Sequence, residues 1–250
     1  MSKNIKKHQK RSNIPIWIGT LVKRKHKITH CIFDLDGTII NSEEIHQKAI
    51  KEIMLKYNKD YTIELQLNTL GRTAEEVCKI LIEDGNVPIS FEKCLKSFEH
   101  KTTTNLSRCK LMPGVEKLLD HLHKNNIPIA LISTSTQEEI DLKLSPFVDL
   151  RKMFHHEIAG GSDKSVLRNP PFPDLLNVCV KRFCTDWENK KTLVFDDSPI
   201  GVQAANVAQM KIVLIQKLEI PKNISKATNC ILDSLEEFQP ENFGFPRYGE

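Results

Sequence analysis

Four short stretches of this chain are apolar at successive positions rather than alternate ones: residues 28–33 (interrupted by Thr29 and His30), 127–132, 192–195 and 211–215. A strand with one wet face alternates apolar and polar residues, whereas a strand covered on both faces reads as a nearly continuous apolar run. Helix-length amphipathic segments separate the later runs. Pro113 opens one with Val115, Leu118, Leu119 and Leu122 on a single face, closed by Asn125-Asn126. Residues 137–144 form a short one, Pro173 starts one with Leu176, Val180 and Phe183 inward, and residues 201–209 form another. Weaker strand signals lie at residues 156–159 and 229–232. Doubly buried strands alternating with helices predict an α/β core built on a parallel, Rossmann-like sheet.

The segment after the first strand breaks this rhythm. Residues 43–57 carry Ile45, Ala49, Ile53 and Tyr57 four apart, with Ile50 and Met54 alongside, which is the signature of an amphipathic helix. Helical stretches at 74–84 and 91–107 follow with few strand signals between them. The expected division is a basic arm over residues 1–27, a core made of 28–42 and 109–250, and a helical insert over 43–108.

The charge is unevenly placed. Residues 1–33 hold seven Lys, two Arg and no acid, so the overall +4 leaves −5 for the rest. The basicity belongs to the arm, which is expected to be solvated and partly disordered, and the folded body is not a basic nucleic-acid surface; RNA contact through the arm is the minority alternative. No apolar run nears the roughly 18 residues that span a bilayer, so no membrane partner is expected. Seven scattered cysteines without a C-x-x-C pair argue against disulfides and zinc and for a reducing compartment. A cytoplasmic protein is expected, with nuclear or mitochondrial targeting through the arm as alternatives.

Ligands of open α/β sheets bind beyond the carboxyl ends of the strands. Three strand ends here carry polar groups: Asp34 and Asp36, Ser133 and Thr134, Asp196 and Asp197. Taken alone, the first is equally a strand running into an acidic turn. Together, four carboxylates repel unless a hard cation sits among them, and oxygen-only ligands suit Mg²⁺. Mg²⁺ keeps waters and phosphate oxygens, so phosphate chemistry follows, with Ser133 and the backbone N–H after it as neutral phosphate donors.

Asp34-Leu35-Asp36-Gly37-Thr38, the strand ending at Ser133, and Asp196-Asp197 resemble, in order, three of the four motifs of the haloacid dehalogenase superfamily, and the helical insert resembles its C1-type cap. Thr29-His30-Cys31, Leu111-Met112-Pro113-Gly114 and the tail from Leu235 to Pro246 are similar to the pseudouridine-5'-phosphatases and their insect relatives. The resemblance implies an Mg²⁺-dependent phosphatase acting on a small phosphorylated metabolite, a nucleoside or sugar monophosphate such as pseudouridine 5'-phosphate. Asp34 would be the nucleophile, forming an aspartyl-phosphate, and Asp36 the acid and base. Asp34 and Asp197 would bind the metal, with Asp196 direct or through water and Asp36 through its backbone carbonyl. Gly71-Arg72-Thr73 falls where the cap's substrate loop lies, making Arg72 a substrate candidate.

One motif departs from the family. The lysine expected before the helix that begins near Pro173-Asp174 is replaced by Pro170, within Arg168-Asn169-Pro170-Pro171-Phe172. Proline supplies neither charge nor donor, so Lys164 and Arg168 are the substitutes to test. The loss makes a catalytically impaired binding or regulatory protein the alternative function, with a phosphomutase third. A second departure is Gln209, where a left-handed helix cap would favour glycine. His46, His121, His123, His155 and His156 lack metal-site spacing and are expected to be solvated or core-satisfied.

Overall fold

The computed structural model describes residues 27–183, 188–216 and 220–250. The basic arm expected over residues 1–27 thus lies, apart from Lys27, outside the described residues, as do Trp17, Cys184 and Trp187.

The first strand, β1 (His30–Asp34), leads into four helices, α1 (Ser42–Lys56), α2 (Ile63–Thr69), α3 (Ala74–Glu83) and α4 (Phe91–Thr103). The chain then alternates: α5 (Val115–Lys124), β2 (Ile129–Ser133), α6 (Gln137–Leu144), α7 (Val148–Arg151), β3 (His156–Ala159), α8 (Asp174–Phe183), β4 (Thr192–Asp196), α9 (Pro199–Val207), β5 (Lys211–Ile215), α10 (Lys222–Ala227) and β6 (Cys230–Leu232). All six strands are parallel, in the order β3-β2-β1-β4-β5-β6. The order reverses between β1 and β4, where a doubly wound sheet opens a crevice at its carboxyl edge.

The apolar strands behave as their sequence requires. Successive residues enter opposite layers: Phe33, Leu131, Phe195 and Val213 face one core, and Ile32, Ala130, Val194 and Ile212 the other. Phe33 pairs with Phe195 in register, and their rings stack at 4.4 Å. The carboxyl-terminal tail closes that face: Phe238 meets Phe195 edge-on at 5.1 Å and stacks on Phe243 at 5.4 Å. The insert has its own apolar cluster, including Ile50, Ile53, Leu81, Cys94 and Phe98. Where the insert leaves and re-enters the core, its two ends run side by side. Ile40 bridges Leu111 in antiparallel fashion, Met112 N–H donates to Ile39 O at 2.9 Å, and Asn41 N–H donates to Lys110 O at 2.9 Å while its Oδ1 accepts from Lys110 N–H at 2.7 Å.

Several boundaries differ from the expectation for physical reasons. The helix expected at Pro113 begins at Val115, because Gly114 takes φ +86° and stands at its cap. A Cβ at Gly114 would lie 2.4 Å from Glu236 N, so the tail approaches that backbone closely. The helix expected over 91–107 ends at Thr103, and a separate 3-10 turn covers Leu106–Arg108. The one expected from 201 starts at Pro199, capped by the Ser198 hydroxyl. Helix α2 and the 3-10 turns Leu235–Glu237 and Pro240–Phe243 had no periodic signal to announce them. Gln209 does adopt the left-handed backbone, at φ +59°.

Candidate active site

The register aligns the three predicted strand ends. Phe33 lies beside Phe195, so Asp34 and Asp196 leave adjacent strands at the same level, while Asp34 pairs with Ile132 just before Ser133. After Asp34 the chain folds back at once: Leu35 O accepts from both Ile39 and Ile40 N–H at 3.0 Å, and Gly37 N–H donates to Ile40 O at 2.8 Å. This turn returns Asp36 over the mouth of β2. Gly37 is required twice: its φ is +81°, and a Cβ there would stand 1.9 Å from Asp197 Oδ2. Gly201 does the same for Asp196, whose Oδ2 lies 2.0 Å from where a Cβ would be.

The carboxylates fall into two groups. Asp36 is fully engaged. Its Oδ1 accepts from the Ser42 hydroxyl and from Lys143 Nζ at 2.7 Å, and its Oδ2 accepts from Ser133 Oγ at 2.7 Å and Ser135 Oγ at 3.4 Å. Burial works to raise its pKa, but the Lys143 charge, His46 and the hydrogen bonds from Lys143 and Ser42 outweigh it and hold Asp36 ionised. The other three are pushed the opposite way. Asp34 is raised well above the carboxylate range by burial and then by Asp196, Asp36 and Asp197, with Lys143 opposing. Asp197 is raised by burial, Glu43, Asp196 and Asp36. Asp196 rises only to about 6, because the Ser198 N–H and hydroxyl donate to its Oδ1 at 2.8 and 2.7 Å.

Asp34, Asp196 and Asp197 form a crowded, oxygen-only donor set whose mutual repulsion a divalent cation would relieve, so their chemistry fits Mg²⁺. Among the described residues, no three His, Cys, Asp or Glu side chains are already grouped to hold a metal. Asp36 and Asp196 are turned instead to the lysine and serine donors just named. Ser133 likewise gives its hydroxyl to Asp36 and accepts from Ser135 N–H at 3.0 Å, while Thr134 stands half-buried beside it.

The proposed lysine substitutes are not in this cluster. Pro170 is buried in the motif position, joined to Pro171 by a cis peptide. Lys164 is exposed. Arg168 pairs with Asp174 at 3.2 Å and lies over the Phe172 ring at 4.2 Å. Among the described residues, the cation paired with a site carboxylate is Lys143, which the sequence reading passed over. It is buried on α6, whose start is held by a capping box of Thr136 and Glu139 and whose inward face carries Ile140, Lys143 and Leu144. The available signal was a lysine three residues after Ile140 on the apolar side of a helix that begins next to Ser133. His46 was also undervalued. It faces Glu43 at 3.8 Å from α1 and is close enough to Asp36 to favour its ionisation. His121 and His156 are satisfied by Pro246 O at 2.9 Å and Cys179 O at 3.0 Å.

Arg72 is tied to its own surroundings. Its Nε donates to Asn68 O at 3.2 Å and its Nη1 to Glu76 Oε1 at 3.3 Å. The loop that carries it does meet the core, since a Cβ at Gly71 would stand 2.8 Å from Ser198 Oγ.

The sequence profile described as haloacid dehalogenase-like hydrolase matches residues 31–215, a range that holds the aspartates at the end of β1, the serine that ends β2 and the aspartates at the end of β4. The chain belongs to this family. It is 34% identical over 222 residues to the Drosophila melanogaster protein described as "Probable pseudouridine-5'-phosphatase", spanning 89% of this chain and 96% of that one. It is 31% identical over 224 residues to (DL)-glycerol-3-phosphatase 2 of Arabidopsis thaliana, spanning 88% and 93%. Its fold is similar to that of β-phosphoglucomutase from Clostridium difficile, with a TM-score of 0.70 at 23% identity over 86% of this chain and 97% of that one. These relationships place this haloacid dehalogenase-like protein among the phosphomonoester hydrolases. No helix among the described residues is long and apolar enough to cross a membrane.

Proposed function

We propose that this protein hydrolyses a small phosphomonoester, a nucleoside or sugar monophosphate, through an aspartyl-phosphate on Asp34. The observation that carries the reading is the placement of the strand ends: Asp34 leaves β1 level with Asp196 and next to Ser133, in the crevice where the strand order reverses, and the turn after it brings Asp36 Oδ2 to 2.7 Å from Ser133 Oγ. Asp34 must be ionised to attack, so the acids around it would have to be offset by a bound cation, and Asp36, at the mouth of the crevice, is placed to move protons. An Asp34 carboxylate oxygen attacks phosphorus, the bond from phosphorus to the substrate alkoxide breaks, and Asp36, having taken a proton from solvent as the substrate binds, gives it to that alkoxide. The arriving phosphate draws on the charge of Lys143 and so raises the proton affinity of Asp36 for this step. Water then attacks the phosphorus, Asp36 takes its proton, and the bond to Asp34 breaks to release inorganic phosphate.

Asp34, Asp197 and Asp196 would hold Mg²⁺, which when bound offsets the repulsion between Asp34 and the incoming dianion. The loop of Gly71 and Arg72, resting on Ser198, would exclude water and select the substrate. Pseudouridine 5'-phosphate and glycerol 3-phosphate lead the candidates because relatives carry those names. A panel of phosphomonoesters assayed for phosphate release with Mg²⁺, beside Asp34→Asn, tests the proposal. Release by the wild type and none by the variant supports it. A wild type inert on every substrate that still binds one of them would instead support the binding-protein reading that Pro170 suggests.

A further inference from the structure

Lys143 is a costly residue for its position. Its side chain is 1% exposed, and an ammonium taken from water costs several kcal/mol before its partners compensate. A buried ion pair is often no more stabilising than well-packed apolar side chains of similar volume, so packing alone gives no reason for a lysine between Ile140 and Leu144. Its surroundings do. The Nζ donates to Asp36 Oδ1 at 2.7 Å and Ser135 Oγ at 2.6 Å, and Asp36 in turn accepts from Ser133. An ammonium has three N–H groups, so a third is left for another oxygen. The charge is near enough to Asp34 to oppose its acidic neighbours. On the β3 side of the site, where a lysine would have stood, Pro170 offers nothing.

We infer that Lys143 supplies, from α6, the positive charge the chain lacks at Pro170, engaging the phosphoryl group held between Asp34 and Ser133. The inference rests on the phosphate-site reading above and adds the residue that makes it workable. The two lysine positions belong to different helices, so the charge has moved while its target has not. A lysine at 143 also touches the acid–base group directly, coupling phosphate binding to Asp36 through one side chain.

The test uses the full chain with Mg²⁺ and two readouts: affinity for inorganic phosphate by calorimetry, and kcat on the best substrate of the panel. Lys143→Met removes the charge and the donors. Lys143→Gln keeps donors toward Asp36 and Ser135 without the charge, and stands in should the methionine variant fail to fold. Both are expected to weaken phosphate binding at least tenfold and lower kcat by about 10²–10³-fold, the loss typical of one transition-state donor. Adding Pro170→Lys to either variant should recover part of both losses, which a merely structural role for Lys143 would not allow. A folded variant with phosphate affinity and kcat within twofold of wild type overturns the inference and leaves the phosphatase reading standing. A wild type without turnover, whose phosphate affinity still falls in Lys143→Gln, upholds the inference and removes the phosphatase reading. A wild type that binds no phosphate overturns both.

Discussion

Replacing Gly37 by alanine should damage the site far more than the fold. The new methyl carbon would begin 1.9 Å from Asp197 Oδ2 and 2.6 Å from its Cγ. Ordinary contact is about 3.5 Å, so the carboxylate must retreat by roughly 1.5 Å. Misplacement of a catalytic group by about 1 Å costs on the order of 10²-fold in rate, and a loss of at least that size is expected here. The φ of +81° adds about 1–2 kcal/mol of backbone strain. For a chain of 250 residues that lowers the melting temperature by about 2–8 °C. Gly244→Ala is the control: its φ is +85°, but the nearest atom to a new Cβ is 4.0 Å away. It should share the strain and keep the activity. Phosphate release and thermal melting of the two variants, side by side, separate the effects. Gly37→Ala with kcat within threefold of Gly244→Ala would refute the argument that the bare glycine exists to admit Asp197.

Asp197→Asn should weaken Mg²⁺ binding and abolish phosphate release while the fold stays intact; unchanged Mg²⁺ affinity by titration calorimetry would remove Asp197 from the metal set. His30 is buried with its pKa lowered from 6.5 to about 4 by desolvation and then by Lys191, so the fold favours the neutral ring. The stability this gives is complete above pH 6.5 and is lost as pH falls toward 4, by up to about 3 kcal/mol. His30→Gln should therefore show a shallower acid-side decline in urea melts than wild type; parallel curves would contradict it. Gln209 is exposed and holds φ +59° in a Schellman-type cap, with Met210 N–H donating to Ala205 O at 2.9 Å. Gln209→Gly should stabilise by about 1 kcal/mol, raising the melting temperature a few degrees, and a lower value would show that its side chain contributes something the backbone account omits.

Much of this was legible in the residues because the sheet imposes simple rules. Successive apolar positions announced doubly covered strands, and polar groups at their ends announced a crevice. The charges that act within the site were less legible, because they depend on helix rotation. Nothing local distinguishes Lys143 from a solvated lysine until the two-turn helix packs with Ile140 and Leu144 inward and carries Lys143 in beside them. Lys164 and Arg168 were close in sequence to the missing lysine, yet proximity along the chain did not bring either into the cluster; Arg168 went to Asp174 and Phe172. The tail's contribution was hidden for another reason. Phe238 and Phe245 enter the core from irregular chain, where no period marks the inward face.

The bridged chain ends at the base of the insert make that insert a cassette. Asn41 and Lys110 already face each other across backbone hydrogen bonds, so a core joined directly from one to the other would ask almost nothing new of the chain. The catalytic strand ends, Lys143 and the tail all lie outside the excised segment. A lineage could therefore exchange the helical insert for another and alter what covers the crevice in one genetic event, provided the newcomer restored the contacts that Ser42 and His46 make to Asp36.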